Sequence, residues 1–380
     1  MENVANRVVL IRQETYERRE VRCRIERIID ELGGANRFFR PGMRVLLKPN
    51  LLAAAAPEKR VTTDPSVVWA VGAILKDLGV VCTIGDSPGI DPFASVAAAS
   101  GMTAVAKELG IPCIELSRSV PFPTPECSVF HGIELSSAVM ESDAVVNLPK
   151  LKTHGQMMLT LGVKNLFGCV VAQRKAEWHY KVGLRRETFA SLLLDIAAVV
   201  RPALTILDGI VGMEGDGPRN GTPRAFGLLA GAADPLALDL VLSRMLGCPP
   251  NDFPLARAAR ERGIEPAAES VALAGDVDAS FRFANVVLPP QDSLHLLPSF
   301  LDGFGKSFLV SRPVAVRGAC RGCGKCAFVC PAGAVRVDAR GPVFDYRKCI
   351  RCYCCQEMCP HNAIRFRKGA LLTLMRLFGR

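Results

Sequence analysis

The sequence predicts an α/β protein: a mostly parallel sheet covered by helices on both faces, with a small α+β module at the C-terminal end. Three observations carry that expectation. Runs rich in Val, Ile and Leu alternate with amphipathic stretches along the first part of the chain, the pattern of a sheet buried on both faces. Two amphipathic stretches open on Asp64-Pro65 and Asp234-Pro235, an N-cap followed by proline at the first helical position. Eight of the fifteen cysteines fall in two identically spaced runs near the C-terminus, which marks that segment as a separate unit.

Strands are expected at Val8–Ile11, Val45–Lys48, Val80–Ile84, Ala144–Asn147, Leu204–Leu207 and Phe226–Ala230, where β-branched and large apolar residues run together. Helices are expected at Val21–Leu32, Pro65–Leu78, Thr188–Val199 and Pro235–Leu246, from their three- and four-residue apolar spacing. Four strands lead into polar, Gly- and Pro-rich segments read as loops. These are Pro49-Asn50, Gly85–Gly89, Leu148–His154 and Asp208-Gly209. In open parallel sheets, ligands bind beyond the carboxyl ends of the strands, so these loops form the candidate site.

Lysines sharpen it. Lys48, Lys150, Lys152 and Lys164 sit at or just beyond apolar segments, with His154 among them and Lys175 and His179 following. Scattered surface lysines are the plain alternative. Converging lysines would instead favour a small anionic substrate or cofactor, a carboxylate or a phosphate. In that reading Lys48, Asn50, Asp86, Lys150 and Lys152 bind the anion. His154 and Lys164 are the catalytic candidates, with His154 moving a proton. The chain has no GxGxxG fingerprint and no P-loop, so nicotinamide and P-loop nucleotide sites lack direct support.

The C-terminal cysteines are Cys320-x2-Cys323-x2-Cys326-x3-Cys330-Pro331 and Cys349-x2-Cys352-x2-Cys355-x3-Cys359-Pro360. This is the bacterial ferredoxin spacing for two [4Fe–4S] clusters, in which the fourth cysteine of each run crosses to the other cluster. Cys320, Cys323, Cys326 and Cys359 are assigned to one cluster, and Cys330, Cys349, Cys352 and Cys355 to the other. Four thiolates also suit zinc, but the doubled run, its prolines and an internal repeat of 29 residues favour clusters. Ala334 matches Ala363, Val335 matches Ile364 and Arg336 matches Arg365. The repeat predicts two pseudo-symmetric halves, each with a short helix after its Cys-Pro and a strand beyond. Cys354, a ninth thiol, reads as a buried neighbour and not a ligand.

The net charge of +10 is concentrated in the same region: Ser311–Arg380 holds fourteen Lys/Arg against three Asp/Glu. Cations beside anionic clusters account for this excess without invoking nucleic acid. The N-terminus lacks a signal-peptide pattern, and no uncharged apolar run approaches the roughly 20 residues that span a bilayer. Cysteines on metal duty suit a reducing compartment, so a cytoplasmic protein is expected. The expected domains are an α/β unit at 1–310, a ferredoxin-like α+β module at 311–367 and a basic amphipathic tail at 368–380. The tail either packs back on the protein or makes weak contact with an anionic membrane surface.

The strings Leu47-Lys48-Pro49-Asn50-Leu51, Thr63-Asp64-Pro65, Gly85–Gly89, Leu148–His154 and Gly162–Gly168, then Asp208-Gly209-Ile210 and Met213-Glu214-Gly215, resemble the family catalogued as domain of unknown function 362. The resemblance runs over about residues 40 to 250. Members are commonly joined to a bacterial-type ferredoxin module, so the resemblance implies the architecture and leaves the reaction open. A more distant likeness to nickel-dependent lactate racemases carries no catalytic residue across. These readings together imply electron transfer through two [4Fe–4S] clusters. One end of the route is a donor or acceptor protein of ferredoxin or flavodoxin type; the other is an anionic substrate or cofactor in the α/β domain. The alternative is a non-catalytic electron carrier or maturation factor whose α/β domain docks a partner.

Overall fold

The computed structural model describes residues 6–266, 270–289 and 310–367; the basic tail expected at 368–380 lies outside them. The chain runs through β1 (Arg7–Arg12), α1 (Arg18–Glu31), β2 (Arg44–Pro49), α2 (Pro65–Asp77), β3 (Val81–Asp86), α3 (Phe93–Ala99), α4 (Met102–Leu109) and β4 (Cys113–Glu115). A small hairpin of β5 (Ser119–Pro121) and β6 (Glu134–Ser136) leads to α5 (Ser137–Glu141), β7 (Ala144–Leu148), β8 (Lys150–His154) and β9 (Met158–Thr160). After α6 (Gly162–Asn165), α7 (Ala172–Val182) and α8 (Arg186–Val200) come β10 (Leu204–Glu214), β11 (Thr222–Ala232), α9 (Pro235–Met245), α10 (Pro254–Glu261) and β12 (Ala272–Gly275).

Ten strands make the main sheet, in the order β12-β1-β11-β10-β7-β2-β3-β4, with β8 paired to β10 and to β9. The run from β10 to β4 is parallel, and β11 is antiparallel to both β10 and β1. Successive strand residues face opposite sides. Thus Val8 and Leu10 join the core formed with α8, α9 and α10, while Val9 and Ile11 join the core formed with α1, α2 and α4. Both faces are covered, as the apolar runs require. The expected N-caps form: Asp64 accepts from the Ser66 amide at 3.0 Å and Asp234 from the Leu236 amide at 2.8 Å.

Two segments read as loops are strand. Residues 150–154 form β8, every residue of it buried. Lys150, Lys152 and His154 share one face, and their polar heads find partners that offset burial. The strand expected to end at Leu207 continues to Glu214, because it pairs with β11 as far as Glu214 opposite Thr222.

The C-terminal module consists of β13 (Arg312–Ala315), α11 (Lys325–Phe328), β14 (Val335–Asp338), β15 (Gly341–Phe344), α12 (Cys354–Glu357) and β16 (Ile364–Arg367). β13 pairs antiparallel with β16, and β14 with β15. The internal repeat reappears in the backbone. Gly322, Gly324 and Gly333 adopt positive φ, and so do their equivalents Arg351, Tyr353 and Asn362. The short helices lie inside the cysteine runs, and turns follow Pro331 and Pro360, which corrects the expected helix after each Cys-Pro. Placing a helical turn there lets the third cysteine, Cys326 or Cys355, project from it.

The module is seated on the α/β unit. Lys325 Nζ meets Asp91 Oδ1 at 2.5 Å, and the Asn220 and Gln356 side-chain amides donate to the Cys359 and Asp216 carbonyls at 3.3 Å each. A Cβ on Gly155 would stand 2.6 Å from the Phe366 ring, so this contact requires glycine. Among the described residues no helix is long and apolar enough to cross a membrane.

Candidate functional site

Beyond the carboxyl ends of β2 and β3 lies a cavity of about 470 Å³. Its lining includes Lys48, Asn50, Asp86, Lys152, His154 and Lys164, with Asn165, Lys175 and His179. Lys48 Nζ ion-pairs with Asp86 Oδ1 at 2.8 Å and donates to the Pro49 carbonyl at 2.7 Å. The other carboxylate oxygen, Asp86 Oδ2, accepts from the Leu51 amide at 2.7 Å. This packing is tight: a Cβ on Gly168 would stand 2.3 Å from Asp86 Oδ1 and 2.6 Å from Lys48 Nζ. Asn165 donates to Asn147 Oδ1 at 2.8 Å and accepts from Asn50 at 3.0 Å, tying α6 to β2 and β7.

The four lining lysines differ in what they touch. Lys152 Nζ donates to Asn50 Oδ1 at 2.8 Å and to the Val61 carbonyl at 2.7 Å. Lys175 donates to the Ser87 carbonyl. Lys164 Nζ instead sits over the Phe167 and Phe189 rings, 4.7 and 5.2 Å from their centroids, and has no hydrogen-bond acceptor or carboxylate pair among the described residues. Burial pushes the Lys152 pKa down to about 7, with neighbouring Lys150 acting the same way, and that of Lys175 down to about 8. Burial likewise lowers the pKa of Lys164, opposed by Glu357 and Cys354.

His154 is held in one tautomer. Its Nδ1 accepts from the Gln156 and Met157 amides at 3.1 and 3.2 Å, so Nε2 carries the proton. Burial, then the charge of Lys164, holds the ring well below the usual imidazole range. Its Nε2 points at Glu357 Oε1, 3.1 Å away, without the alignment of a full hydrogen bond. His179 is buried against Phe167 and Phe189, and burial lowers its pKa to about 3.

Lys150 goes elsewhere. It is fully buried, 2.6 Å from Asp208 Oδ2 and 2.8 Å from the Tyr16 hydroxyl, and does not line the cavity. Asp208 also accepts from the Asp64 amide at 2.9 Å. The structure therefore separates Lys150 from the other lysines, because Asp208 lies directly opposite it on β10. Cys169 is buried and its thiol pKa is raised to about 12 by burial.

The far wall of the cavity belongs to the C-terminal module, through Phe328, Val329, Cys354, Glu357 and Met358. Of these only Cys354 stands out in the sequence. Glu357 occupies an unremarkable helix position, and nothing local tells that it faces His154. Behind this wall the cysteines gather in two sets. Cys320, Cys323, Cys326 and Cys359 line one cleft, walled by Val337, Pro342 and Ile364. Cys330, Cys349, Cys352 and Cys355 lie together by their mutual electrostatic influence.

The surroundings fit iron–sulfur clusters. Backbone amides of Gly322, Ala334 and Ala363 donate to Sγ of Cys320, Cys330 and Cys359 at 3.4, 3.2 and 3.3 Å. Such N–H···S bonds stabilise thiolates bound to iron. Buried Arg351 leaves Nε and Nη1 without an acceptor among the described residues, a cation that an anionic neighbour beside Cys352 would compensate.

Family models match two parts of the chain: domain of unknown function 362 over residues 45–244, and a 4Fe–4S dicluster domain over 319–363. The chain belongs to the domain of unknown function 362 family. A thylakoid-associated protein of Synechocystis sp. is 40% identical to it over 261 residues, covering 69% of this chain and 81% of that protein. The dicluster segment is similar to one component of an ion-translocating oxidoreductase complex of Methanosarcina acetivorans, 46% identical over 48 residues, or 13% of this chain and 18% of that component. Among solved structures, the lactate racemase apoprotein of Thermoanaerobacterium thermosaccharolyticum aligns at 12% identity with a TM-score of 0.39, covering 63% of this chain and 58% of that one. A Thermotoga maritima protein aligns at 11% identity and 0.38, covering 60% of this chain and 59% of that one. The family member thus joins an α/β domain to an iron–sulfur module, with a cavity lined by both.

Proposed function

We propose that this protein is an iron–sulfur oxidoreductase that delivers electrons, one at a time, to an anionic organic molecule held in the lysine-lined cavity. One observation carries the reading: the cavity wall opposite Lys152, His154 and Lys164 is the α12 segment, whose Cys355 belongs to a cluster quartet. Cys320, Cys323, Cys326 and Cys359 would hold one cluster and Cys330, Cys349, Cys352 and Cys355 the other, and the clusters would supply the one-electron chemistry. Lys48, paired with Asp86, and Lys152 set the positive field, Asn50 orients Lys152, and Lys164 meets the anion. His154 Nε2–H is a proton donor already fixed in direction. A docking role for the lysines would want them on an open face, whereas Lys48 and Lys152 are fully buried.

Electrons enter from a ferredoxin- or flavodoxin-type carrier protein at the exposed edge of the module. Cys323 is exposed there beside exposed Arg317 and Arg321, a basic collar suited to an acidic partner. The test is anaerobic reconstitution followed by stopped-flow reduction. About eight irons and eight sulfides per chain are expected, as the two runs require, with reduction slowing as salt is raised. The reduced protein should then be reoxidised by organic anions in a manner that Lys152→Met abolishes. Clusters that cannot be cycled reversibly would sink the proposal.

A further inference from the structure

The cavity is polar at one end and apolar at the other, in an unusual order. The charged end is deep: Lys48 and Lys152 are 0% exposed, His154 2% and His179 5%, whereas Phe328 at the opposite end is 82% exposed. Ile90 and Leu52, both partly exposed, also line the cavity. A ligand entering here passes an apolar rim before reaching charge. At about 470 Å³ the space falls within the roughly 300–1,000 Å³ of sites that enclose medium-sized organic ligands. A bare phosphate or a three-carbon acid would leave most of it unfilled.

The charge balance of the floor narrows the head group. Lys48 is neutralised by Asp86, and Lys152 and Lys175 each donate to fixed oxygens of the protein. Lys164 alone lacks an acceptor among the described residues, lying over two aromatic rings. Lys164 is only partly buried, and the Glu357 carboxylate opposes its charge from beyond ion-pair distance; one carboxylate reaching Lys164 and the His154 Nε2–H would give both donors an acceptor. A second observation points to a missing ligand: the buried Thr160 Oγ1 and His179 Nδ1, both on lining residues, have no hydrogen-bond partner among the described residues.

We infer that the cavity binds an amphiphilic monocarboxylate, its carboxylate ion-paired with Lys164 and its apolar body against Ile90 and Phe328 toward the exposed mouth. This rests on the reading above that the ligand is anionic, and adds its class and orientation. Lys164 is then the specificity-determining residue for the head, and Phe328 for the body.

The test uses the anaerobically reconstituted full chain and titration calorimetry, independent of electron transfer. The probes are straight-chain and aryl monocarboxylates from acetate to 4-phenylbutanoate, each beside its neutral primary amide, with inorganic phosphate as a further probe. Affinity should rise with apolar length, and each amide should bind at least roughly tenfold more weakly than its acid, the loss of one charge-assisted hydrogen bond. Lys164→Met should erase the acid–amide difference while keeping cluster absorbance and Tm. Phe328→Ala should flatten the length dependence and leave the acid–amide difference. Amides binding as well as acids, phosphate binding more tightly than 4-phenylbutanoate, or no carboxylate binding at all would each overturn the inference. If carboxylates bind but do not reoxidise the clusters, the inference stands and the oxidoreductase reading fails.

Discussion

Lys150 and Lys152 sit two residues apart on the same face of one strand, yet they belong to regions with opposite logic. Around Lys150 every charge is met: Asp208 at 2.6 Å, the Tyr16 hydroxyl at 2.8 Å, and the Asp64 amide closing the other side of Asp208. Space for a ligand is absent from this nest, which locks β8 to β10. Around Lys152 the protein leaves a cavity, a neighbouring lysine without an acceptor, and a histidine whose N–H meets only an ill-aligned carboxylate. A buried charge that is fully compensated holds structure together, and one left open awaits something else. The difference between them is the counter-ion, not burial: both lysines are fully buried, but Lys150 meets the Asp208 carboxylate and Lys152 only the neutral oxygens of Asn50 and Val61.

The largest effect should come from breaking the closed region. Asp208→Ala strands the Lys150 ammonium in the core and should lower stability by about 3–5 kcal/mol in urea titration. A change below about 1 kcal/mol would mean that Lys150 is not charged there, and the contrast drawn above would collapse.

The next effect concerns the wall between the cavity and the clusters. Cys359→Ala should lose the cluster whose remaining thiols are Cys320, Cys323 and Cys326, read as a halved iron content with its spectroscopic signature missing. Cys354→Ala should retain full iron, because Cys354 faces the cavity. Iron lost from the Cys349 set in the Cys359 variant would show that the quartets are wrongly drawn.

The smallest effect is a pH dependence. In the folded chain Lys152 and Lys175 titrate near 7 and 8, well below their ordinary value of 10.5. Between those values and 10.5 the unfolded chain holds more protons than the folded one, so the stability of the ligand-free protein should rise with pH across that window. Lys152→Met removes its share, so wild type should gain on the variant as pH climbs from 7 to 10. Carboxylate affinity should move the opposite way, falling as pH rises through 7 and 8. Stability and affinity that both stay flat from pH 7 to 10 would show that these lysines keep their protons and that the cavity holds its charge unaided.

The legibility of the molecule follows the range of its interactions. The strands of the parallel core and the four long helices were readable because apolar spacing and Asp-Pro caps act over a few residues. The misreading of 150–154 had a definite cause. Lys, Thr and His suggest solvent locally, and only Asp208, Asn50 and Glu357, at remote positions in the chain, make their burial tolerable. Lys48, Asn50, Asp86, Lys152, His154 and Lys164 were identifiable as candidates by their place at strand ends, but Lys150 was indistinguishable from them.

By itself the sequence determined the two cysteine runs, their repeat and the α/β alternation, since chelate spacing and side-chain periodicity are properties of neighbouring residues. The tertiary structure alone decided which lysines meet acceptors and which line a cavity. It also decided that α12 brings Glu357 and Cys354 to His154 and Lys164. Those pairings join residues about two hundred positions apart, and no local preference encodes them; they arise from docking the module on the sheet, where burial makes each charge depend on what stands opposite.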